Sequence, residues 1–220
     1  GLPPDSVVQT EEQILADSRR VIEQYHDADP LAMRKVILAP CSPFSVSKDL
    51  MVETSRLARS YHVRLHTHLA ETQDEDAYCL RTHGKRPLEL MEEWEFVGPD
   101  VSYAHGIHFT DEELEVLKQS GTAVCHCPSS NMRLGSGIAR VKEMLERGIT
   151  VSLAVDGSAS NDASDFLGEM RQALLLQRTR YGADAITAAQ VFALATANGL
   201  EVLNFSRLGK IEPGWGADLA

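Results

Sequence analysis

Five short apolar runs recur along the chain, and a stretch with helical periodicity follows each. The runs cover residues 36–40, 63–69, 101–105, 122–126 and 150–155. Each is too short for a helix and reads as a strand buried on both faces. Helix starts lie between them. Thr10-Glu11-Glu12-Gln13, Thr110-Asp111-Glu112-Glu113 and Thr187-Ala188-Ala189-Gln190 have capping-box spacing, and Ser47 precedes a helix whose Leu50, Thr54, Leu57, Ala58 and Tyr61 share a face. In such starts a side-chain oxygen satisfies a backbone N–H that the helix leaves unpaired. Ile138, Val141, Met144 and Leu145 mark another helix, with Gly148 as its stop, as Gly121 is for the helix after Thr110;.

Strands alternating with helices imply an α/β fold of parallel strands joined by crossovers. An open doubly wound sheet and part of a (β/α)8 barrel both fit. No glycine-rich phosphate loop follows any strand, which counts against a nucleotide-binding sheet and a nucleotide-dependent oxidoreductase. Polar residues instead cluster just after nearly every strand, positions that a barrel gathers at one mouth. The barrel portion is expected over residues 1–207. Residues 208–220 break the pattern and read as a turn between two short strands, the start of a small β element.

Composition narrows the function. The 220 residues are 43% hydrophobic, ordinary for one sizeable core, and the formal net charge of −11 repels polyanions;. Binding to nucleic acid or to anionic membranes is therefore not expected. No apolar stretch approaches the length of a membrane span, and the first residues lack a signal peptide's basic and apolar regions. Cys41, Cys79, Cys125 and Cys127 are not spaced as a disulfide framework, so a reducing cytoplasm is the expected setting;. In Cys125-His126-Cys127, strand alternation sends both sulfurs one way and the imidazole the other. With no second ligand pair in view, these are read as buried thiols rather than a zinc site.

The chemistry gathers at the strand ends. His66-Thr67-His68-Leu69-Ala70-Glu71 closes the second run, Ala104-His105-Gly106 the third, and Asp156-Gly157-Ser158 the fifth. Neutral imidazole and carboxylate are good zinc donors, and a glutamate beside the metal can carry a proton from water to a leaving group. His68 and Asp156 are candidate metal ligands, with iron fitting similar donors. Glu71 is the candidate proton carrier. His105 can orient water or polarise a substrate, and Asp156 can also take a proton. His66, one pleat deeper than His68, reads as a packed or supporting residue.

Taken together, His68-Leu69-Ala70-Glu71-Thr72, Ala104-His105-Gly106, His126-Cys127-Pro128-Ser129-Ser130-Asn131, Val155-Asp156-Gly157 and the closing residues 209–219 resemble the amidohydrolase superfamily, in its cytosine/guanine deaminase and s-triazine hydrolase branch. The likeness runs along essentially the whole chain. Leu2-Pro3-Pro4-Asp5, Ala39-Pro40-Cys41-Ser42-Pro43-Phe44-Ser45, residues 131–137 and residues 156–162 resemble that branch's bacterial 8-oxoguanine deaminase group.

The resemblance implies the later part of a TIM barrel, returning to a small β-sandwich, and a zinc-dependent hydrolytic deaminase. It makes His68 and Asp156 metal ligands and Glu71, His105 and Asp156 catalytic. Phe44, Ser42, Asn131 and Ser158 are the candidate substrate contacts. The expected reaction turns 8-oxoguanine into urate and ammonia. A guanine, pterin or cytosine deaminase and a hydroxy-s-triazine aminohydrolase share the catalytic residues and stay open, as does a non-catalytic barrel scaffold. Relatives commonly self-associate, so a homo-oligomer is expected. The family's two further histidine ligands, an H-x-H motif, do not precede residue 36, and a fragment of a longer polypeptide is the expectation.

Overall fold

The computed structural model describes residues 7–218. In chain order the elements are α1 (Glu11–Tyr25), β1 (Ile37–Leu38), α2 (Lys48–Ser60), β2 (Arg64–Leu69), α3 (Gln73–His83), α4 (Pro87–Glu93), β3 (Val101–His105), α5 (Asp111–Ser120), β4 (Ala123–His126), α6 (Pro128–Leu134), α7 (Val141–Arg147), β5 (Val151–Leu153), α8 (Phe166–Tyr181), α9 (Ala188–Ala195) and α10 (Ala197–Val202). All five expected strands form. Thr10, Ser47, Thr110 and Thr187 cap their helices, each hydroxyl accepting an N–H in the first turn.

The strands pair in parallel, in the order β1-β2-β3-β4-β5. Spatial order that follows chain order is how a barrel wall grows; a doubly wound sheet reverses at a switch point. One sheet face carries Leu65, Leu69, Tyr103, Val124, Val151 and Leu153, all packed into the main core beneath the helices. α2 adds Met51 and Ala58, α5 adds Leu114 and Leu117, and α7 adds Val141 and Met144. The opposite face carries His66, His68, Ser102 and Ala104, in register across β2 and β3, and beyond them Cys125 beside Ser152. The sheet thus separates an apolar layer from a polar lining, and the polar lining leads to the strand ends.

Two expectations need comment. Residues 208–218 contain a turn, with Trp215 N–H donating to Glu212 O at 3.1 Å, but no strand. Extended backbone needs a neighbour for its ladder, and this segment joins none of the five strands in the sheet;. Leu2-Pro3-Pro4-Asp5 and Leu219, on which part of the resemblance rests, lie outside the described residues. All four cysteines are free thiols, and the described residues include no helix long and apolar enough to cross a membrane.

His126 lies fully buried at the end of β4, and neither ring nitrogen has a hydrogen-bond partner among the described residues. Burial, with His105 nearby, pushes its pKa from 6.5 down to about 4. Across that window the unfolded chain binds a proton that the native ring refuses. Stability attributable to this residue therefore falls on acidification from pH 6.5 towards 4, by at most ~1.4 kcal/mol per pH unit. Thermal midpoints measured against pH should show a shallower acid limb in His126→Leu than in the wild type. Leu65 is fully buried in β2, and Leu65→Ala is expected to lower the unfolding free energy by about 3 kcal/mol in chemical denaturation.

Candidate active site

Three strand ends meet at the mouth, and a backbone carbonyl orients the first candidate ligand. The Cys41 carbonyl, in the loop after β1, accepts from His68 N–H at 3.0 Å, Thr67 Oγ1 at 3.0 Å and His68 Nδ1 at 2.6 Å. A carbonyl only accepts, so Nδ1 carries the ring proton and Nε2 is left with its lone pair free. His66 instead pairs its Nδ1 with Ser102 Oγ at 2.8 Å, and burial with two neighbouring imidazoles lowers its pKa to about 4. It is not among the donors that converge.

His105 arrives by a different route. Strand alternation would point it with Tyr103 into the helix layer. Its backbone is left-handed, with φ of 71°, and its ring stacks on His68 with centroids 5.5 Å apart. Nδ1 donates to Asn131 Oδ1 at 2.9 Å, which leaves Nε2 facing Glu71, whose Oε2 lies 3.6 Å away. Gly106 permits this turn. A Cβ there would meet Val124 Cγ1 at 2.8 Å and the Phe109 ring at 2.9 Å.

Asp156 also has positive φ, 66°. Its Oδ2 accepts from Ser130 Oγ at 2.5 Å and Ser160 Oγ at 2.9 Å. Partial burial alone would raise its pKa; hydrogen bonds from Ser130, the Gly157 amide and Ser160, with His105 nearby, outweigh that and hold it below its ordinary value;. Behind it, the buried Glu169 accepts from Ser129 N–H at 3.1 Å and Asn161 Nδ2 at 2.7 Å, fixing the α6 start that carries Ser130.

His68, His105 and Asp156 each offer one ligand atom, all within 4.8 Å of one another. Two imidazole nitrogens and a carboxylate oxygen are donors that zinc takes at about 2.0–2.2 Å, and the tethered Nδ1 atoms leave both Nε2 atoms available. The residues present therefore fit zinc.

The expected substrate contacts are spread more widely. Phe44 is half exposed, edge-on to Tyr78 with centroids 6.4 Å apart, and Ser158 is exposed in the loop after Asp156. Ser42 is buried with its hydroxyl bonded to Ser45 Oγ at 2.6 Å. Asn131 is buried directly behind His105. Sequence reasoning missed the supporting layer: the Cys41 carbonyl, Ser130, Glu75 and Glu169. Ser130 had a signal, its place at the start of Pro128-Ser129-Ser130-Asn131; a backbone carbonyl has none.

Residues 3–220 match the amidohydrolase family. The chain belongs to this family. It is 49% identical over 220 residues to the 8-oxoguanine deaminase of Pseudomonas aeruginosa, covering 100% of this chain and 49% of that protein. It is 39% identical over 235 residues to an isoxanthopterin deaminase of an unknown prokaryotic organism, again covering 100% of this chain and 49% of that protein. Among solved structures it resembles the atrazine chlorohydrolase TrzN of Arthrobacter aurescens TC1, complexed with zinc, with a TM-score of 0.92 and 30% identity over 99% of this chain and 48% of that one. The chain spans about half the length of the curated relatives it matches. The amidohydrolase relatives are named deaminases and hydrolases.

Loss of a ligand's hydrogen-bond support typically weakens metal binding about 10–100-fold. Ser130→Ala in the full-length protein is expected to lower zinc affinity within that range, as read by competition with a chelator.

Proposed function

We propose that this chain supplies the later barrel strands of a zinc-dependent hydrolytic deaminase, acting on 8-oxoguanine to give urate and ammonia. The observation that carries the reading is convergence: ligand atoms of His68, His105 and Asp156 lie within 4.8 Å of one another, and Glu71 Oε2 is 3.6 Å from His105 Nε2. The 49% identity to the Pseudomonas aeruginosa 8-oxoguanine deaminase supports the choice of substrate.

His68 and Asp156 hold the metal, with further histidine donors proposed to come from outside these residues. Zinc, when bound, acts as a Lewis acid that lowers the pKa of water. Asp156 takes the proton released as the water oxygen bonds to the carbon bearing the exocyclic amine. His105 Nε2, its lone pair left free by the Asn131 contact, accepts a hydrogen bond from that water's O–H. Glu71 delivers a proton to the ring nitrogen, recovers one from the remaining O–H of the adduct as the carbonyl forms, and delivers it to the amine, whose C–N bond breaks to release ammonia; the proton held by Asp156 then returns to Glu71. Water and 8-oxoguanine are consumed; urate and ammonia are formed. Phe44 offers an aromatic face to a flat heterocycle, and Ser42, Asn131 and Ser158 complete the proposed substrate contacts. The free thiols suit a reducing cytoplasm, and a homo-oligomer is the proposed assembly.

A pterin is the second reading, favoured by the isoxanthopterin deaminase at 39% identity. Ammonia release by the zinc-loaded full-length protein, with 8-oxoguanine, guanine, isoxanthopterin and a hydroxy-s-triazine in parallel, separates the readings. The expected result is fastest turnover of 8-oxoguanine, with Glu71→Gln slower by about 10²–10⁴-fold. Turnover that survives in Glu71→Gln would remove the proton-carrier assignment. Faster turnover of isoxanthopterin would transfer the proposal to pterins.

A further inference from the structure

We infer that Glu75 is the positioning residue for Glu71, holding it through the backbone. This rests on Glu71 being the proton carrier of the proposed reaction. Four helices begin with Thr and carry Glu or Gln three residues later: α1, α3, α5 and α9. In α1, α5 and α9 the box closes on itself, the carboxylate or amide oxygen accepting the N–H of its own capping threonine. α3 departs from this rule. Thr72 Oγ1 accepts from Glu75 N–H at 3.2 Å, but the Glu75 carboxylate reaches past Thr72. Its Oε2 accepts from Glu71 N–H at 2.9 Å and its Oε1 from Ala70 N–H at 3.2 Å.

The diversion occurs where the site needs it. Ala70 is left-handed, with φ of 53°. Its carbonyl accepts from Ile107 N–H at 2.8 Å and His108 N–H at 3.0 Å, so the His105 loop hangs from the residue that Glu75 ties. The Glu71 carboxylate makes no hydrogen bond to protein among the described residues, so its backbone sets where it points. Glu75 is only 4% exposed. Burial pushes its carboxyl up to about 7 against the pull of the two amides, with Asp76 and Glu71 adding repulsion. A group buried at that cost for helix capping alone would be better placed on Thr72, as in the other three helices.

Glu75→Gln keeps shape but leaves one oxygen to accept from two N–H groups. Glu75→Asp keeps charge but withdraws it by one methylene, and serves if the Gln variant does not fold. Thr72→Ala loosens the same helix start without touching the Ala70 and Glu71 amides. All are made in the full-length zinc-loaded protein. Glu75→Gln is expected to lower kcat by about 10²-fold, the scale of a 1 Å misplacement, with KM and zinc content nearly unchanged. Hydrogen-exchange mass spectrometry should show faster exchange confined to the segment containing Ala70 and Glu71. Thr72→Ala should lower the thermal midpoint while keeping kcat within about threefold of wild type. A Glu75 variant that keeps wild-type kcat, or a Thr72→Ala loss equal to it, would overturn the inference. If the wild type deaminates no heterocycle, the functional reading fails by itself. The exchange comparison then decides whether Glu75 holds this backbone: selective loss of protection supports it, and unchanged protection overturns it.

Discussion

The mouth of this sheet depends on left-handed backbone at residues that are not glycine. Ala70, His105 and Asp156 all have positive φ at or just beyond a strand end. Each such residue costs of order 1–3 kcal/mol and persists only where surroundings over-determine it. The surroundings here do. Leu69 O and Ala70 O receive the N–H groups of Gly106, Ile107 and His108; Glu75 receives those of Ala70 and Glu71; Ser130 and Ser160 fix Asp156. Adjacent loops thereby hold one another, and the strained residues deliver an imidazole and two carboxylates to one place.

The strands and most helix starts were legible because they rest on local rules. Runs such as Val101–His105 are buried on both faces, and the threonine caps lie next to what they cap. α8 was not legible, because its buried stripe is Glu169, Ala173 and Gln177, whereas Leu167 is 75% exposed. That inversion has a cause in tertiary structure. Glu169 braces α6, and the Gln177 side-chain amide bridges Lys142 N–H and Ala139 O. A hydrophobic pattern cannot reveal a face chosen for hydrogen bonding.

The site divides the same way. His68, Glu71, His105 and Asp156 were visible as residue types at strand ends. Which way His105 faces was not, since alternation points it into the helix layer and only φ reverses that. Asn131 was legible as a polar residue near the mouth, yet its oxygen serves His105 from behind. The Thr72-x-x-Glu75 spacing was legible as a helix start, and nothing local says that the carboxylate overshoots its cap.

The Cys41 carbonyl joins two events that chemistry usually keeps apart. It belongs to the loop after β1, which holds the sheet through only two paired residues, Ile37 and Leu38. It also decides which nitrogen of His68 is free for a metal. If His68 holds the proposed ion, affinity for it and docking of β1 on β2 are thermodynamically linked, and the linkage is reciprocal. Fraying of the β1–β2 pairing would release the ring to the other tautomer, and an ion held by His68, as proposed, would pin that two-residue pairing in return from the far side of one imidazole.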